Sequence, residues 1–323
     1  MSPGLRPLSE IRLICPVCRE AATDGEVDPT DLTCKNSACC HQYGWLGEGI
    51  PLLYQPERES FERCDAFGVL PSTDSEWEKK LSLLLPETDE WSALSLASMY
   101  LETSLFPGST DLSEVIFNAI KPYLNEGMTQ AADLGCGLGA LTLALSKRTA
   151  LPFIGMDIHP HLLRWAVRLS RGQAVSYPHL RSSTAFEMKV VEQKPVDGRV
   201  IWLCADGQSP PLEAESLDLV IMVNYLDSVN NPYVALGQAS ALLRPGGVIL
   251  FLQPDAWSAQ VTPIDRWVRE EDGGWEALLP ALGLEAVERI EGIAWALNRA
   301  PNIQYRYTLN GYVALRGVWP EGP

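Results

Sequence analysis

The sequence predicts an α/β fold, a doubly wound and mostly parallel sheet, preceded by a small zinc-binding ribbon. Three observations carry this. Residues 131–142 read Ala-Ala-Asp-Leu-Gly-Cys-Gly-Leu-Gly-Ala-Leu-Thr. They run from a short apolar strand through three alternate glycines into an apolar pattern at helical spacing, an order that brings backbone close to a bound nucleotide. From residue 111 onward strand and helix patterns alternate, as in parallel βαβ units. Near the start, Cys15, Cys18, Cys34 and Cys39 fall at the spacing of two metal knuckles.

The chain has 323 residues, enough for one large and one small domain. Its 46% hydrophobic and 20% charged content is that of a soluble globular protein. No apolar run approaches the roughly 18 residues of a membrane span. The opening residues, Met1 to Pro7, lack the basic and apolar regions of a secretory signal. The expectation is a cytoplasmic protein without membrane contact. Net charge is −16, and no segment is basic. That argues against a nucleic-acid partner, which needs a cationic footprint. Cys40, Cys64, Cys136 and Cys204 show no pairing logic, so the eight cysteines point to a reducing compartment and a metal.

Residues 1–58 form the predicted ribbon. Cys15-Pro16-Val17-Cys18 is one knuckle, and Cys34 with Cys39 makes the second. Four thiolates leave no open position, so the zinc is expected to be structural, offsetting the small core of so short a module. Cys39, Cys40 and His41 are consecutive. Cys39 is preferred as the fourth ligand, with Cys40 and His41 as the alternatives. Cys39 to Tyr43, followed by Gly49-Ile50-Pro51-Leu52-Leu53, resembles zinc modules of the Trm112 type. The resemblance covers roughly residues 10–55. It departs by two extra residues in the second knuckle and one before Gly49. It implies a module that positions something and offers a surface to a protein partner or a second copy.

Residues 59–110 carry ten acidic and three basic side chains. Trp77, Leu81, Leu84 and Leu85 fall at helical spacing, as does, less regularly, the run from Trp91 to Leu101. The expectation is a helical linker or cap of two or three helices.

The domain of residues 111–323 is read element by element. Leu112 to Leu124 is a helix stopped near Gly127. A strand leads into Asp133, and the helix after the glycines runs to about Arg148. The strand 152–158 ends in Asp157, twenty residues after Gly137, where a doubly wound sheet presents a carboxylate to ribose hydroxyls. Pro160 opens a helix through about Arg171. Residues 173–198 are an insertion or hairpin. The strand 200–205 delivers Asp206-Gly207, and the strand 216–225 is followed by a helix from Tyr233 to Leu243. Leu243-Arg244-Pro245-Gly246-Gly247 turns into an apolar strand. Ile303 to Gly317 is read as a strand pair.

The spacing Gly135, Gly137, Gly139 is not the G-x-G-x-x-G of a dinucleotide corner, and Asp133 would repel pyrophosphate. It would suit an ammonium. The stretch resembles the D-x-G-x-G-x-G loop of class I S-adenosylmethionine (SAM) methyltransferases. Ser216 to Tyr225 resembles that family's fourth strand (F/L-D-x-V/I), and Leu243 to Gly247 its L-x-P-G-G turn. The likeness spans about residues 112–317 and implies a seven-stranded, Rossmann-like sheet. It also implies SAM held by Asp133, Gly135, Gly137, Gly139, Asp157, Ile158, Asp206, Gly207 and Asn224, with Tyr100 reaching it from the cap. Each acid also has a bland reading as a turn or cap residue.

A sulfonium is already a strong methyl donor, so alignment and exclusion of water are the main needs, and a base is required only for a protonated acceptor. Tyr225 and Asp227, after the fourth strand, are the candidate catalytic residues. His159 and His161 open a helix beside the ribose position, where cap or surface roles suffice. His179 lies in the insertion with no readable role, and Cys136 reads as a packing residue. The expected function is methyl transfer to a small-molecule or peptide- or carrier-bound acceptor. An RNA or protein methyltransferase is the alternative. A non-catalytic SAM-binding scaffold that recruits a partner through the ribbon is the reading from another class.

Overall fold

The computed structural model describes residues 6–20, 23, 25–54, 99, 101, 111–182, 185–192, 194–195, 199–300 and 303–317. The expected linker at 59–110, with Tyr100, falls outside these apart from Met99 and Leu101. At the N-terminus β1 (Leu13–Ile14) pairs antiparallel with β2 (Glu26–Val27), and α1 (Pro16–Glu20) follows the first strand. A hairpin, β3 (Gly44–Leu46) and β4 (Ile50–Leu52), comes next.

The larger domain runs α2 (Leu112–Ile120), β5 (Ala131–Leu134), α3 (Ala140–Thr149), β6 (Phe153–Asp157) and α4 (Pro160–Ser170). A hairpin of β7 (Val175–Ser182) and β8 (Ala185–Val191) precedes β9 (Val200–Cys204) and β10 (Leu217–Val223). Then come α5 (Pro232–Leu242), β11 (Leu243–Gln253), α6 (Gly274–Leu278), β12 (Leu284–Ala300) and β13 (Ile303–Arg316). Local chemistry explains the helix starts. Asp111 accepts from the Ser113 and Glu114 amides, and Asn231 accepts from Val234 N, each satisfying donors that a helix N-terminus leaves open. Pro160 and Pro232 stand in first turns, where a missing N–H does no harm.

The sheet order is β12-β13-β11-β10-β5-β6-β9-β4-β3. The first seven are the expected Rossmann-like methyltransferase sheet, with β11, β10, β5, β6 and β9 parallel and β13 antiparallel to β11. The N-terminal hairpin adds two strands, because β4 pairs parallel with β9 at Leu52 and Cys204. The ribbon is therefore continuous with the sheet and does not hang from it.

A parallel sheet must be covered on both faces. One face buries Ile116, Leu145 and Val167 from α2, α3 and α4. On the other, α5 contributes Ala235, Leu236 and Ala239. The crossover from β9 to β10 has no helix, only residues 205–216. The ribbon fills that place: Leu13, Val27, Leu32 and Tyr43 share a core with Ile201, Leu203 and Leu212. Ile14 N donates to Pro211 O at 3.1 Å, and Arg19 bonds Leu212 O and, at 3.0 Å, Gln238 of α5.

The C-terminal expectation is corrected. Residues 303–316 are one strand, and its partner is Leu284–Ala300, which the sequence reading missed. Asn310-Gly311 has turn composition but lies mid-strand opposite β11. Glycine is needed there for another reason: a Cβ would sit 1.8 Å from Phe251 O. Gly311→Ala is expected to cost about 3 kcal/mol, since the obstacle is backbone of the central sheet. Thermal unfolding should register this as a fall in Tm of roughly 6 °C or more.

Candidate active site and metal centre

The carboxyl ends of β5, β6, β9 and β10 open into a cleft of about 320 Å³ at the point where the chain reverses its winding. Gly135, Gly137 and Gly139 all have positive φ (77°, 54° and 69°), a region L side chains rarely occupy. Each also has its own steric reason. A Cβ at Gly139 would lie 2.1 Å from the Trp202 ring, and one at Gly135 would lie 2.5 Å from Tyr225. At Gly137 nothing lies within 4 Å, so its backbone faces open cleft.

The structure brings three of the predicted acids to this cleft. Asp133 is 2% exposed and accepts from Thr142 Oγ1 at 2.6 Å. Burial, helped by the charge of Asp157, pushes its carboxyl up to about 7. Asp157 ties the loop together: Oδ2 accepts from Gly137 N at 2.7 Å and Oδ1 from His159 N at 2.8 Å. Asp206 accepts from Gln208 N at 2.8 Å in an Asx-type turn and stays at the rim. Ile158, Gly207 and Asn224 also line the cleft.

Tyr225 lies across the cleft floor. Its ring spans from Gly135 to Gly207, where a Cβ would meet the phenol oxygen at 2.2 Å. Burial, with Asp206 and Asp157 adding negative charge, pushes the phenol well above its ordinary value, so it is a neutral donor. Its oxygen and Asn224 Oδ1 are buried without a hydrogen-bond partner among the described residues. Two such atoms in one cleft are a cradle that a polar ligand would complete.

Asp227 is not brought to the cleft. It accepts from Ala256 N at 2.8 Å and from Ser228 Oγ at 3.3 Å, pinning the loop after β11. Burial pushes its carboxyl up. The Cys136 thiol is likewise pushed well up by burial, consistent with a packing role. His159 lines the cleft through its place at the start of α4. His179 is on β7, away from it, and His161 is in the first turn of α4. Gln208, Asn230, Val261 and Trp295 line the cleft and were missed. They come from loops and a distant strand, where no local spacing marks them.

The four cysteines Cys15, Cys18, Cys34 and Cys39 converge, their sulfurs all within 4.8 Å of one another. Cys15–Cys39 is 3.8 Å and Cys18–Cys34 is 3.6 Å. A Zn–S length of about 2.3 Å gives a tetrahedral S···S edge of about 3.8 Å, so the donor set fits zinc. Tyr43 Oη stands 3.1 Å from Cys15 Sγ, an outer-shell donor. Gly25 is required, since a Cβ would lie 2.3 Å from Cys18 Sγ. Cys40 is exposed, with its thiol toward Ser37 O at 3.3 Å, and is not in the cluster.

The chain is similar to known proteins over part of its length. Residues 132–251 match a family model described as a methyltransferase domain. A ubiquinone/menaquinone biosynthesis C-methyltransferase (UbiE) of Syntrophotalea carbinolica is 30% identical over 138 residues, 42% of this chain and 48% of that protein. The chain thus spans about half the length of this curated relative. A SAM-dependent methyltransferase of Methanosarcina mazei has 17% identity and a TM-score of 0.45, covering 65% of this chain and 100% of that one. A SAM-dependent methyltransferase from Aquifex aeolicus has 15% identity and a TM-score of 0.41, covering 68% of this chain and 98% of that one. Among the described residues no helix is long and apolar enough to cross a membrane. Over residues 132–251, therefore, the chain is similar to methyltransferase domains.

Proposed function

We propose that the protein is an active SAM-dependent methyltransferase, acting on a small-molecule or peptide- or carrier-bound acceptor, with a structural zinc in its ribbon. One observation carries the reading: three carboxylates at neighbouring strand tips share a cleft with the backbone of the glycine loop. When bound, SAM supplies an electrophilic methyl group on a sulfonium. The chain's own residues hold and orient it. Asp133 is placed for the ammonium, Asp157 for the ribose hydroxyls and Asp206 for the adenine amine. Tyr225 and Asn224 offer a neutral donor and an acceptor between them. Asp227 is engaged by Ala256 N and is not among the residues that line the described cleft, so no catalytic base is assigned to it.

Incubation with SAM and cell extract, followed by detection of S-adenosylhomocysteine, tests turnover. SAM bound tightly with no product formed would favour the scaffold reading. Asp133 sets a pH dependence. Its cation-attracting form is lost as pH falls through about 7, so SAM affinity is expected to fall about tenfold from pH 8 to pH 6. For the empty protein the sign reverses. An acid whose folded-state value is raised contributes stability fully below its ordinary value of 3.8 and loses it as pH rises through about 7. Calorimetric titrations of wild type and Asp133→Asn across this window check the point: the variant should show a flat profile.

A further inference from the structure

The long C-terminal hairpin does more than complete the sheet. β13 pairs with β11 only from Leu315 to Asn310, yet its pairing with β12 continues to Ala300 and Ile303. The seven residues 303–309 and their partners overhang the end of β11, by about 23 Å at strand rise. Because β11 runs parallel to β10 and β5, this is the end where the cleft opens. The register breaks between Ile290 and Ile293, where the hairpin leaves the sheet. Gly292 has φ +74° there and donates its N–H to Asn310 Oδ1 at 3.0 Å. Such bulges bend a strand and re-aim its side chains.

Beyond the bulge one face is apolar by strict alternation: Ile293 opposite Leu309, Trp295 opposite Tyr307, Leu297 opposite Tyr305. The other face carries Ala294, Thr308, Ala296 and Arg306. Ile293, Trp295 and Tyr307 on this face pack against the sheet core, and β12 also touches β7. Trp295 lines the cleft, and its ring lies 5.4 Å from that of Tyr307, which holds it in place. Val261 and Leu112 also line the cleft as apolar side chains. Asn230 adds an amide nitrogen without a partner among the described residues, its oxygen being held by Arg266. No lysine or arginine lines the described cleft. An anionic acceptor would meet three carboxylates and no counter-charge there.

Resting on the methyl-transfer reading, we propose that this overhang is the acceptor wall, with Trp295 as the platform on which a flat, uncharged ring of the acceptor stacks. Asn230 donates to a polar substituent of that ring. Trp295 thus determines specificity and positions the acceptor, and it takes no part in holding the methyl donor.

The test uses the full-length protein saturated with S-adenosylhomocysteine, with 2-naphthol as a neutral planar probe and 2-naphthoate and cyclohexanol as charged and non-planar controls. Calorimetry and saturation-transfer NMR should show 2-naphthol binding and neither control binding. Trp295→Ala should weaken 2-naphthol at least tenfold, while Trp295→Phe, which keeps a ring, stays within threefold of wild type. Arg306→Ala, on the opposite face, should leave probe affinity unchanged. Affinity for S-adenosylhomocysteine should stay within twofold in all three. Equal 2-naphthol binding by Trp295→Ala, or preference for 2-naphthoate or cyclohexanol, overturns the proposal and leaves the methyl-transfer reading standing. Failure of wild type to bind S-adenosylhomocysteine removes that reading, and this one with it.

Discussion

On the proposed zinc site, Cys34→Ser should leave the protein unable to fold, not merely unable to bind metal. The thiol sits in a buried cluster whose neighbours Leu32 and Tyr43 belong to the same core as Ile201 and Leu203 of β9. Metal binding by such knuckles is worth about 10–16 kcal/mol in isolated modules. The net stability of a whole domain is about 5–15 kcal/mol. Loss of the first can therefore exceed the second. In most doubly wound proteins a zinc module could melt by itself. Here it cannot, because it covers the sheet face left bare by the helix-free crossover at 205–216, and β4 is hydrogen-bonded to β9. The expected results are about one zinc per chain by elemental analysis, a Tm lowered by well over 10 °C on chelation, and aggregated or molten Cys34→Ser. Cys40→Ser, at an exposed thiol, should keep both zinc and Tm. A stable Cys34→Ser, or zinc lost from Cys40→Ser, would refute the ligand set.

Asp157→Ala is expected to weaken SAM by a hundredfold or more while leaving the fold intact. The carboxylate makes two charge-assisted bonds, to Gly137 N and to His159 N, each worth about 1.5–3 kcal/mol. Removing it frees the loop at Gly137, whose backbone faces the open cleft, and takes away the proposed ribose partner at the same stroke. Asp157→Asn is the sharper test. Its amide can accept from only one of the two N–H groups and turns a donor toward the other, so it should lose nearly as much as alanine. Calorimetry of both variants with SAM, alongside unfolding curves, gives the measurement. A loss below about fivefold would mean that the ribose lies elsewhere and that Asp157 is a loop brace alone.

Much of the site was legible because it is local. The glycine loop and Asp157 are set by a few consecutive residues: a strand end, a positive φ, a carboxylate three positions before a helix. The cysteine spacing was legible for the same reason, since two knuckles fix where four sulfurs can go. Asp227 shows the limit. It has the right residue type at the right place in the chain, but the loop after β11 supplies Ala256 N and draws the carboxylate away from the cleft. Gly311 shows it again, as turn composition at a mid-strand position that only the approach of Phe251 O explains.

The sequence by itself determined the alternation of strand and helix, the acids at three strand tips and the metal-knuckle spacing. These depend on the periodicity and backbone preferences of short segments. Only the tertiary structure decided that the ribbon replaces a missing crossover helix, that Tyr225 floors the cleft, and that Trp295 reaches it from a hairpin seventy residues further along the chain. Those relations are set by which surfaces need covering when the sheet assembles, and no local pattern encodes a neighbour brought in from so far away.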